Sequence, residues 1–400
     1  MLLASPDFVR LWAIGGVVNA MRWTEMLAAA LFTFEVTGSG LAVALVSAMR
    51  TLPMLLFGAV AGVICESVNR KAILQAGLLL NAAAAGTVCA LGWLGVLAPW
   101  HLGAAAFASG LVWASEMATR RRMCGEAAGP DLMPRAVALD SLTNATTRGI
   151  GPLVGSFAFA GLGATGAYAI TTVFYLFAAT LVPGIRHVQE IRRLVLGRVP
   201  RDLAEGLAFA RTNPTVLAVL GVTIAMNMFA FTYIAVVAPL AIGVFGVSPS
   251  LTGVLASAEP LGSLIGGILL ASGTVRGPPR VLMVAGSAVF LVALAVMPLI
   301  PNYWAASAVL LVGGMGLALF GNMQTTLVLT GVPAAVRSRQ MGLITVCIGF
   351  GPLGQILIGT LSEQLGPRGA VLVSALSGLV VLAVVGVLWA RAERRQRAVG

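Results

Sequence analysis

Several ionisable side chains of this 400-residue chain lie within long apolar segments. A charge placed there is costly, so each one is by default a candidate for function. In the first such segment, Asn19, Arg22 and Glu25 are spaced three apart and fall on one stripe of a helix. Arg50 follows the next turn by about as many residues as Glu25 precedes it, so antiparallel helices would place the two at similar depth. The pattern predicts either a structural triad of Arg22, Glu25 and Arg50 or a cavity acid that binds a proton or a cationic group.

Two further charges are predicted near the middle of their segments. Arg148 lies about 12 residues, or about 18 Å at helical rise, into its segment. Its predicted role is either pairing with an acid or an anionic substrate, or helix packing. Glu259, followed by Pro260, has no basic residue of the second half of the chain at its depth. A buried carboxyl without a cation partner can load and release a proton. Three roles stay open for Glu259: proton coupling, a neutral hydrogen-bonded structural acid, or a water-exposed cavity acid.

A third group of charges lies just inside one membrane boundary. Glu116 and Asp140 are within four or five residues of the adjacent Arg120 and Arg135. We expect a network that closes this boundary in preference to contact with substrate. The predicted gate residues are Glu66, Arg70, Lys71, Glu116, Arg120 and Asp140.

Uncharged polar and aromatic side chains add further candidates. Asn227, Asn322 and Gln324 could offer hydrogen bonds to a solute, although polar residues in such segments more often join helices to one another. Trp23 and Trp113 lie away from the predicted membrane interfaces, where they either pack against helices or stack on a ligand.

Enzyme chemistry is not indicated by the sequence. The only lysine, Lys71, is preceded by Arg70, so a phosphate-binding loop ending in Gly-Lys-Ser/Thr is excluded. Two isolated histidines and four unpaired cysteines give neither a metal site nor a disulfide framework. We therefore expect no catalytic residues, no cofactor and no metal.

The composition identifies the elements that must position these side chains. Hydrophobic residues make up 58% of the chain and charged residues only 10%, against about 25% charged in soluble domains. So few charges exclude soluble globular domains. Apolar segments long enough to cross a bilayer recur along the whole length, which predicts an all-α membrane protein of twelve transmembrane helices. The predicted spans are 8–34, 41–64, 72–93, 101–119, 137–160, 165–183, 214–236, 249–271, 281–299, 304–327, 338–361 and 370–390.

The arginines predict the orientation. With the N-terminus inside, 21 of the 25 basic residues fall on the cytoplasmic side, Arg368 falls outside, and Arg22, Arg50 and Arg148 lie within spans. This bias places both termini in the cytoplasm of a bacterial-type inner (plasma) membrane. Basic residues that alternate with apolar spans indicate a lipid surface, not nucleic acid. Five tryptophans fall near predicted span ends, as an aromatic belt requires: Trp12, Trp93, Trp100, Trp304 and Trp389.

The chain divides into two similar halves. Residues 1–183 form an N-terminal six-helix bundle, 184–213 a cytoplasmic linker with a basic amphipathic helix, and 214–400 a C-terminal bundle with a basic tail. The sequence Gly-Ile-Gly-Pro-Leu ending at Leu153 is matched by Gly-Phe-Gly-Pro-Leu ending at Leu353, in the fifth span of each half. Transporters built from such repeats bind substrate between the halves, near the bilayer midplane.

Twelve spans in two repeated halves, with this loop between spans 2 and 3, resemble the major facilitator superfamily. The loop runs from Gly62 to Arg70-Lys71, with Glu66 where the family has Asp and Asn69 where it has Gly. Gly151, Pro152 and Gly155 resemble the motif of the superfamily's proton-coupled antiporters, which has glycine at the positions of Thr147 and Ser156 here. The strings 8–12, 36–41 and 52–56 resemble the branch that contains the enterobactin exporter and related drug-efflux proteins.

The resemblance implies a secondary transporter that works by alternating access, with a cavity lined mainly by spans 1, 4, 7 and 10. We expect proton-coupled export of an amphiphilic small molecule, drug-like or siderophore-like, by a monomer. Two alternatives use the same fold: a lipid or lysolipid flippase, and a facilitator that imports a small metabolite. The latter would be expected to have more polar cavity residues than this sequence offers.

Overall fold

The computed structural model describes residues 2–129, 131–186 and 198–399, and within these ranges the regular secondary structure is helical. All twelve predicted spans are helices there, which confirms the predicted fold class. Of the linker predicted at 184–213, residues 184–186 and 198–213 are described, and a linker helix runs at Arg198–Thr212. Residues 187–197, which include Arg192 and Arg193 of the predicted basic helix, lie outside the described residues.

The first half contains six spans. Ser5 caps the first helix, since its hydroxyl accepts a hydrogen bond from the Phe8 amide, and Gly38 ends that helix with a φ of 63°. Spans 5 and 6 lie within Met133–Leu181 and are separated by a break in the helix at Gly163. Its φ of 66° is a conformation that glycine adopts readily. The first four helices are Pro6–Thr37, Gly40–Ser67, Arg70–Trp93 and Pro99–Ala128.

The second half repeats this plan with one irregular member. Span 7 begins as an α-helix at Pro214–Ala225 and then passes through a π-turn, a 3₁₀ segment and a second π-turn ending at Val244. The final run, Gly351–Val399, breaks at Gly366 (φ 70°), so 351–365 completes span 11 and 367–399 is span 12. The remaining helices are Pro249–Ala271, Pro279–Val296, Tyr303–Gly331 and Ala334–Ile348.

Length and apolarity identify eight helices among the described residues that could cross a membrane. Two of the eight contain the breaks at Gly163 and Gly366, and each therefore holds two spans. Helices Pro6–Thr37 and Pro99–Ala128 are not among the eight. Both carry several charged residues, which lowers their apolarity, and these are the helices that bear most of the candidate site.

Close helix contacts position two of the candidate charges. A Cβ added at Gly110 would overlap the carbonyl oxygen of Arg50, so span 4 packs directly on the backbone of span 2. A Cβ at Gly314 would likewise overlap the carbonyl oxygen of Glu259, which brings span 10 against span 8. At Gly155, a Cβ would lie 2.8 Å from the Cα of Thr24. The antiporter-like motif therefore packs span 5 on span 1.

We call the end of the bundle that carries Arg70 and Arg122 the basic end, and the end that carries Gly38 and Gly366 the opposite end. The two halves meet at the opposite end. The Ser39 hydroxyl donates to Glu363 at 2.6 Å, and the Ser156 hydroxyl donates to the Ser250 carbonyl at 2.9 Å. The Thr51 hydroxyl contacts Gln355 at 3.1 Å, and Arg148 contacts Glu259 at 2.9 Å, so the halves are also joined at mid-span. The two halves are therefore in contact from mid-span to the opposite end.

Candidate substrate and proton site

Five charged side chains form a connected series in the first half. Arg22 Nη2 lies 2.6 Å from Glu116, whose other oxygen lies 2.7 Å from Arg120 Nε. Arg120 Nη1 lies 2.8 Å from Asp140, and Asp140 also forms an ion pair with Arg121 at 3.4 Å. We call this series the arginine–acid chain. The predicted grouping of Glu116, Arg120 and Asp140 is confirmed. The cations that pair with Asp140 are Arg120 and Arg121 of span 4.

A small cleft of about 10 Å³, with room for about one water molecule, lies beside this chain. Arg22 donates a second hydrogen bond to Asn19 at 3.1 Å, and its guanidinium lies 5.1 Å from the ring centre of Trp113. The lining thus combines charged groups, amides and an aromatic ring from spans 1, 4 and 5. It consists of Asn19, Arg22, Trp113, Glu116, Arg120, Arg121 and Asn144.

A second ion pair lies deeper in the first half. Arg50 Nη2 lies 3.5 Å from Glu25, and Arg50 also donates to the Ser109 hydroxyl at 3.1 Å. Glu25 and Arg50 are both about nine-tenths or more buried. Their predicted pairing at equal depth is confirmed. The predicted triad is wrong in its third member, because Arg22 pairs with Glu116 on span 4.

The third pair joins the two halves. Arg148 Nη2 donates to both carboxylate oxygens of Glu259 at 2.9 Å, and the Tyr233 hydroxyl lies 3.5 Å from the same carboxylate. Arg148 is also 5.9 Å from the ring centre of Trp23. The prediction that Glu259 has no cation partner is wrong. The basic residues of the second half lie at other depths than Glu259, but its partner Arg148 belongs to span 5 of the first half.

The described residues of the predicted gate loop contact spans 4 and 6. Arg70 Nη1 pairs with Glu126 at 3.0 Å, and the Glu66 side chain lies outside the described residues. Glu126 was missed because span 4 was predicted to end at residue 119, whereas its helix continues to Ala128. Lys71 donates to the carbonyls of Pro183 and Ile185 at 2.9 and 2.7 Å, and so ties the end of span 6 to span 3.

No group of three or more His, Cys, Asp or Glu side chains is placed to hold a metal ion in the described part of the chain. Instead, the site offers ionisable pairs inside a membrane bundle, one of them shared between two repeated halves. A family model described as transmembrane secretion effector matches residues 2–396. The chain belongs to this family of the major facilitator superfamily. The superfamily and branch predicted from sequence are thereby confirmed, since the family includes proteins like the enterobactin exporter.

Solved structures support the same fold at low sequence identity. A mutant of the nucleoside transporter NupG is 12% identical, with a TM-score of 0.77 over 96% of this chain and 99% of that one. A bacterial homolog of the human lysosomal transporter Spinster, inward-facing and unoccupied, is 14% identical, with a TM-score of 0.72 over 97% and 96%. No curated protein sequence matches the chain significantly. The chain is a secondary transporter of this superfamily, and members of the family are not enzymes.

The remaining polar candidates of the transporter divide by their contacts. Gln324 donates to the Thr223 hydroxyl at 2.6 Å, which joins spans 10 and 7 as expected of interhelical polar residues. Asn227 and Asn322 donate to carbonyls of their own helices, at 2.9 and 2.8 Å. The exposed Asn322 keeps its side chain open to other partners.

The tryptophans of the transporter depart from the predicted belt at one position. Trp93, Trp100 and Trp304 are exposed, as a membrane-interface belt requires. Trp12 is partly buried and donates to the Thr143 hydroxyl at 2.8 Å. Trp389 is buried under the guanidinium of Arg280, so its assignment to the belt is wrong.

Proposed function

We propose that the transporter exports an amphiphilic small molecule in exchange for protons, with the basic end in the cytoplasm. The observation that carries this proposal is the Arg148–Glu259 pair. It joins span 5 to span 8 across the interface that alternating access must open. Glu259 is buried, whereas the Arg148 side chain is 31% exposed, so the pair lies at the edge of accessible space.

Protonation of Glu259 would weaken this joint. A carboxylate held by an arginine in a low-dielectric interior is attracted far more strongly than in water. A neutral carboxyl loses that attraction and leaves Arg148 to be solvated by an opening cavity. Protonation would thereby favour separation of spans 5 and 8, and loss of the proton would restore the pair. The movement of the two halves would in this way be linked to the binding and release of a proton.

The arrangement of the halves supports export from the basic end. The opposite end is closed by the Ser39–Glu363 and Ser156–Ser250 hydrogen bonds, while the cleft beside Arg22 lies on the basic side of the central pairs. Contacts between the halves at the opposite end are a feature expected of an inward-facing state. The arginine bias, which favours a cytoplasmic basic end with both termini inside a bacterial-type plasma membrane, agrees with loading from that side.

The cavity walls suit an amphiphile. The ring of Trp113 lies 5.1 Å from the Arg22 guanidinium, and that of Trp23 lies 5.9 Å from the Arg148 guanidinium. A molecule with an aromatic or aliphatic body and a polar end would be accommodated by these groups, in a protein that we propose to act as a monomer in the bilayer.

Transport into proteoliposomes under an imposed pH gradient tests this function. The panel comprises dyes, drugs, siderophores and lysolipids, and the variant is Glu259→Gln, which keeps size and hydrogen bonding but cannot titrate. We expect it to lose gradient-driven accumulation while counterflow exchange of the same substrate continues. Glu35→Gln, at an exposed acid near the opposite end, is the matched control and should behave as wild type.

Two results would contradict the proposal. Accumulation by Glu259→Gln at the wild-type rate would remove Glu259 from coupling, and Glu25 and Asp140 would be the next acids to test. Gradient-independent movement of lysolipids alone would instead assign the protein as a flippase.

A further inference from the structure

The arginine–acid chain of the first half has an unequal number of charges. It runs Arg22, Glu116, Arg120, Asp140, Arg121, so an arginine stands at each end. Three cations and two anions leave one positive charge. Because isolated charge is costly within a membrane bundle, an excess of this kind favours the binding of a compensating anion.

The two end arginines are the members that face open space. The side chains of Glu116, Arg120 and Asp140 are at most 6% exposed, whereas those of Arg22 and Arg121 are 13% and 35% exposed. Each end arginine gives one contact to an acid and one to a neutral oxygen, from Asn19 and Ser141 respectively. A guanidinium has five N–H donors, so both retain donors for a ligand.

The second half offers no acid to compensate this charge. Among its described residues, Glu259 is the acid that is buried, and Arg148 occupies both of its oxygens. The excess charge of the cleft is therefore left to water or to a bound anion.

We propose that this cleft binds the acidic group of the transported molecule, so that the substrate is an amphiphilic anion. Arg22 and Arg121 would bind its carboxylate, phosphate or sulfonate oxygens, the amides of Asn19 and Asn144 would add hydrogen bonds, and its apolar body would lie along Trp113. This inference rests on the proposed transport function, since it names the substrate class of that site.

Equilibrium dialysis of the purified full chain in maltoside micelles, against empty micelles, tests the charge preference directly. The probes are three molecules of one shape: 2-naphthylacetate, neutral 2-naphthylacetamide and cationic 2-naphthylmethylammonium. We expect the anion to bind at least about tenfold more tightly than either of the others, as two charge-assisted hydrogen bonds imply. Equal binding of the three probes, or preference for the cation, would overturn the proposal.

Variants localise the binding. Arg121→Gln makes the chain neutral and should weaken naphthylacetate binding about tenfold or more. The matched control is Arg122→Gln, which removes the same charge from the next residue of span 4, outside the cleft, and should leave binding unchanged. Equal binding by wild type and Arg121→Gln would place the anion elsewhere.

Two further measurements keep the outcome decisive. Asn144→Leu fills the cleft without changing its charge, so it should weaken naphthylacetate binding even if Arg121→Gln proves unstable. Chloride and phosphate are tested as competitors, and a cleft that binds these ions but not naphthylacetate would contradict an organic substrate. None of these measurements uses a pH gradient, so their failure leaves proton-coupled transport to be judged by its own assay.

Discussion

At the scale of single residues, the buried pair of Glu25 and Arg50 allows a direct test of coupling. Glu25→Gln leaves the Arg50 guanidinium without a counter-charge in a buried site, which should lower the free energy of unfolding by about 3 kcal/mol. Adding Arg50→Gln removes the uncompensated charge and should restore part of that loss. Thermal unfolding in detergent of the wild type, both single variants and the double variant measures the coupling. A double variant equal to the sum of the singles would show that the side chains act independently.

Residue contacts could be predicted from sequence only where both partners belong to neighbouring spans of one half. Glu25 and Arg50 were paired correctly because adjacent antiparallel helices share depth by counting from their turn. The pairing of Arg148 with Glu259 was not predicted, because counting residues from a shared turn cannot give the relative depth of spans 5 and 8, which are not adjacent in sequence. Arg22 was assigned to the nearest acid on its own helix, whereas helix packing brings Glu116 from span 4 within 2.6 Å.

At the scale of helices, close contact between spans 2 and 4 depends on Gly110. A methyl group there would overlap the backbone of Arg50 and lie 3.0 Å from Pro53 Cγ, so it must push the two helices apart. We expect Gly110→Ala to destabilise the protein by about 1–3 kcal/mol, as overpacking of a dense interior does. The matched control is Gly161→Ala, because a Cβ added at Gly161 has no neighbouring atom within 4 Å. This variant should be neutral or slightly stabilising. Equal melting temperatures for the two variants would show that spans 2 and 4 can separate at little cost.

Helix existence was predictable, and helix irregularity was not. Recurring long apolar segments predict the helices. The π-turns and the 3₁₀ segment of span 7, in contrast, leave no periodicity signal in a run that is mostly apolar. The same irregular region carries Tyr233, whose hydroxyl faces Glu259. Local departures from α-helix of this kind are frequent at functional sites. Apart from Pro239, no residue in this part of the sequence indicates that the helix is irregular.

At the scale of the whole molecule, Glu363 holds the two halves together at the opposite end. It lies beyond the predicted end of span 11 and accepts hydrogen bonds from the Ser39 hydroxyl and from the Leu41 amide. The Ser39 hydroxyl and the backbone donors lower the pKa of this carboxyl. A group with a lowered pKa stabilises the contact above its ordinary pKa and loses that effect as the pH falls through the lowered value.

We therefore expect Glu363→Gln and Ser39→Ala to open the opposite end more often. The measurement is the labelling rate of a cysteine at Val254 by a membrane-impermeant maleimide, in a background with the native cysteines replaced by serine. Both variants should be labelled faster than wild type at neutral pH, and the wild type should approach them only under strongly acidic conditions. Glu35→Gln is the control for loss of an exposed acid at this end. Unchanged labelling would assign closure to the helix contacts alone.

The Arg148–Glu259 pair also constrains how this transporter can diverge from its relatives. Its two charges belong to different repeats, so neither half can exchange its mid-membrane charge without the other. A chimera that combines residues 1–186 of this chain with the second half of a homologue lacking the acid would inherit an arginine with no counter-ion in the bilayer. Such unmatched charges are strongly destabilising. Recombination between halves should therefore succeed only among proteins that keep this arginine and acid together, even where their substrates differ.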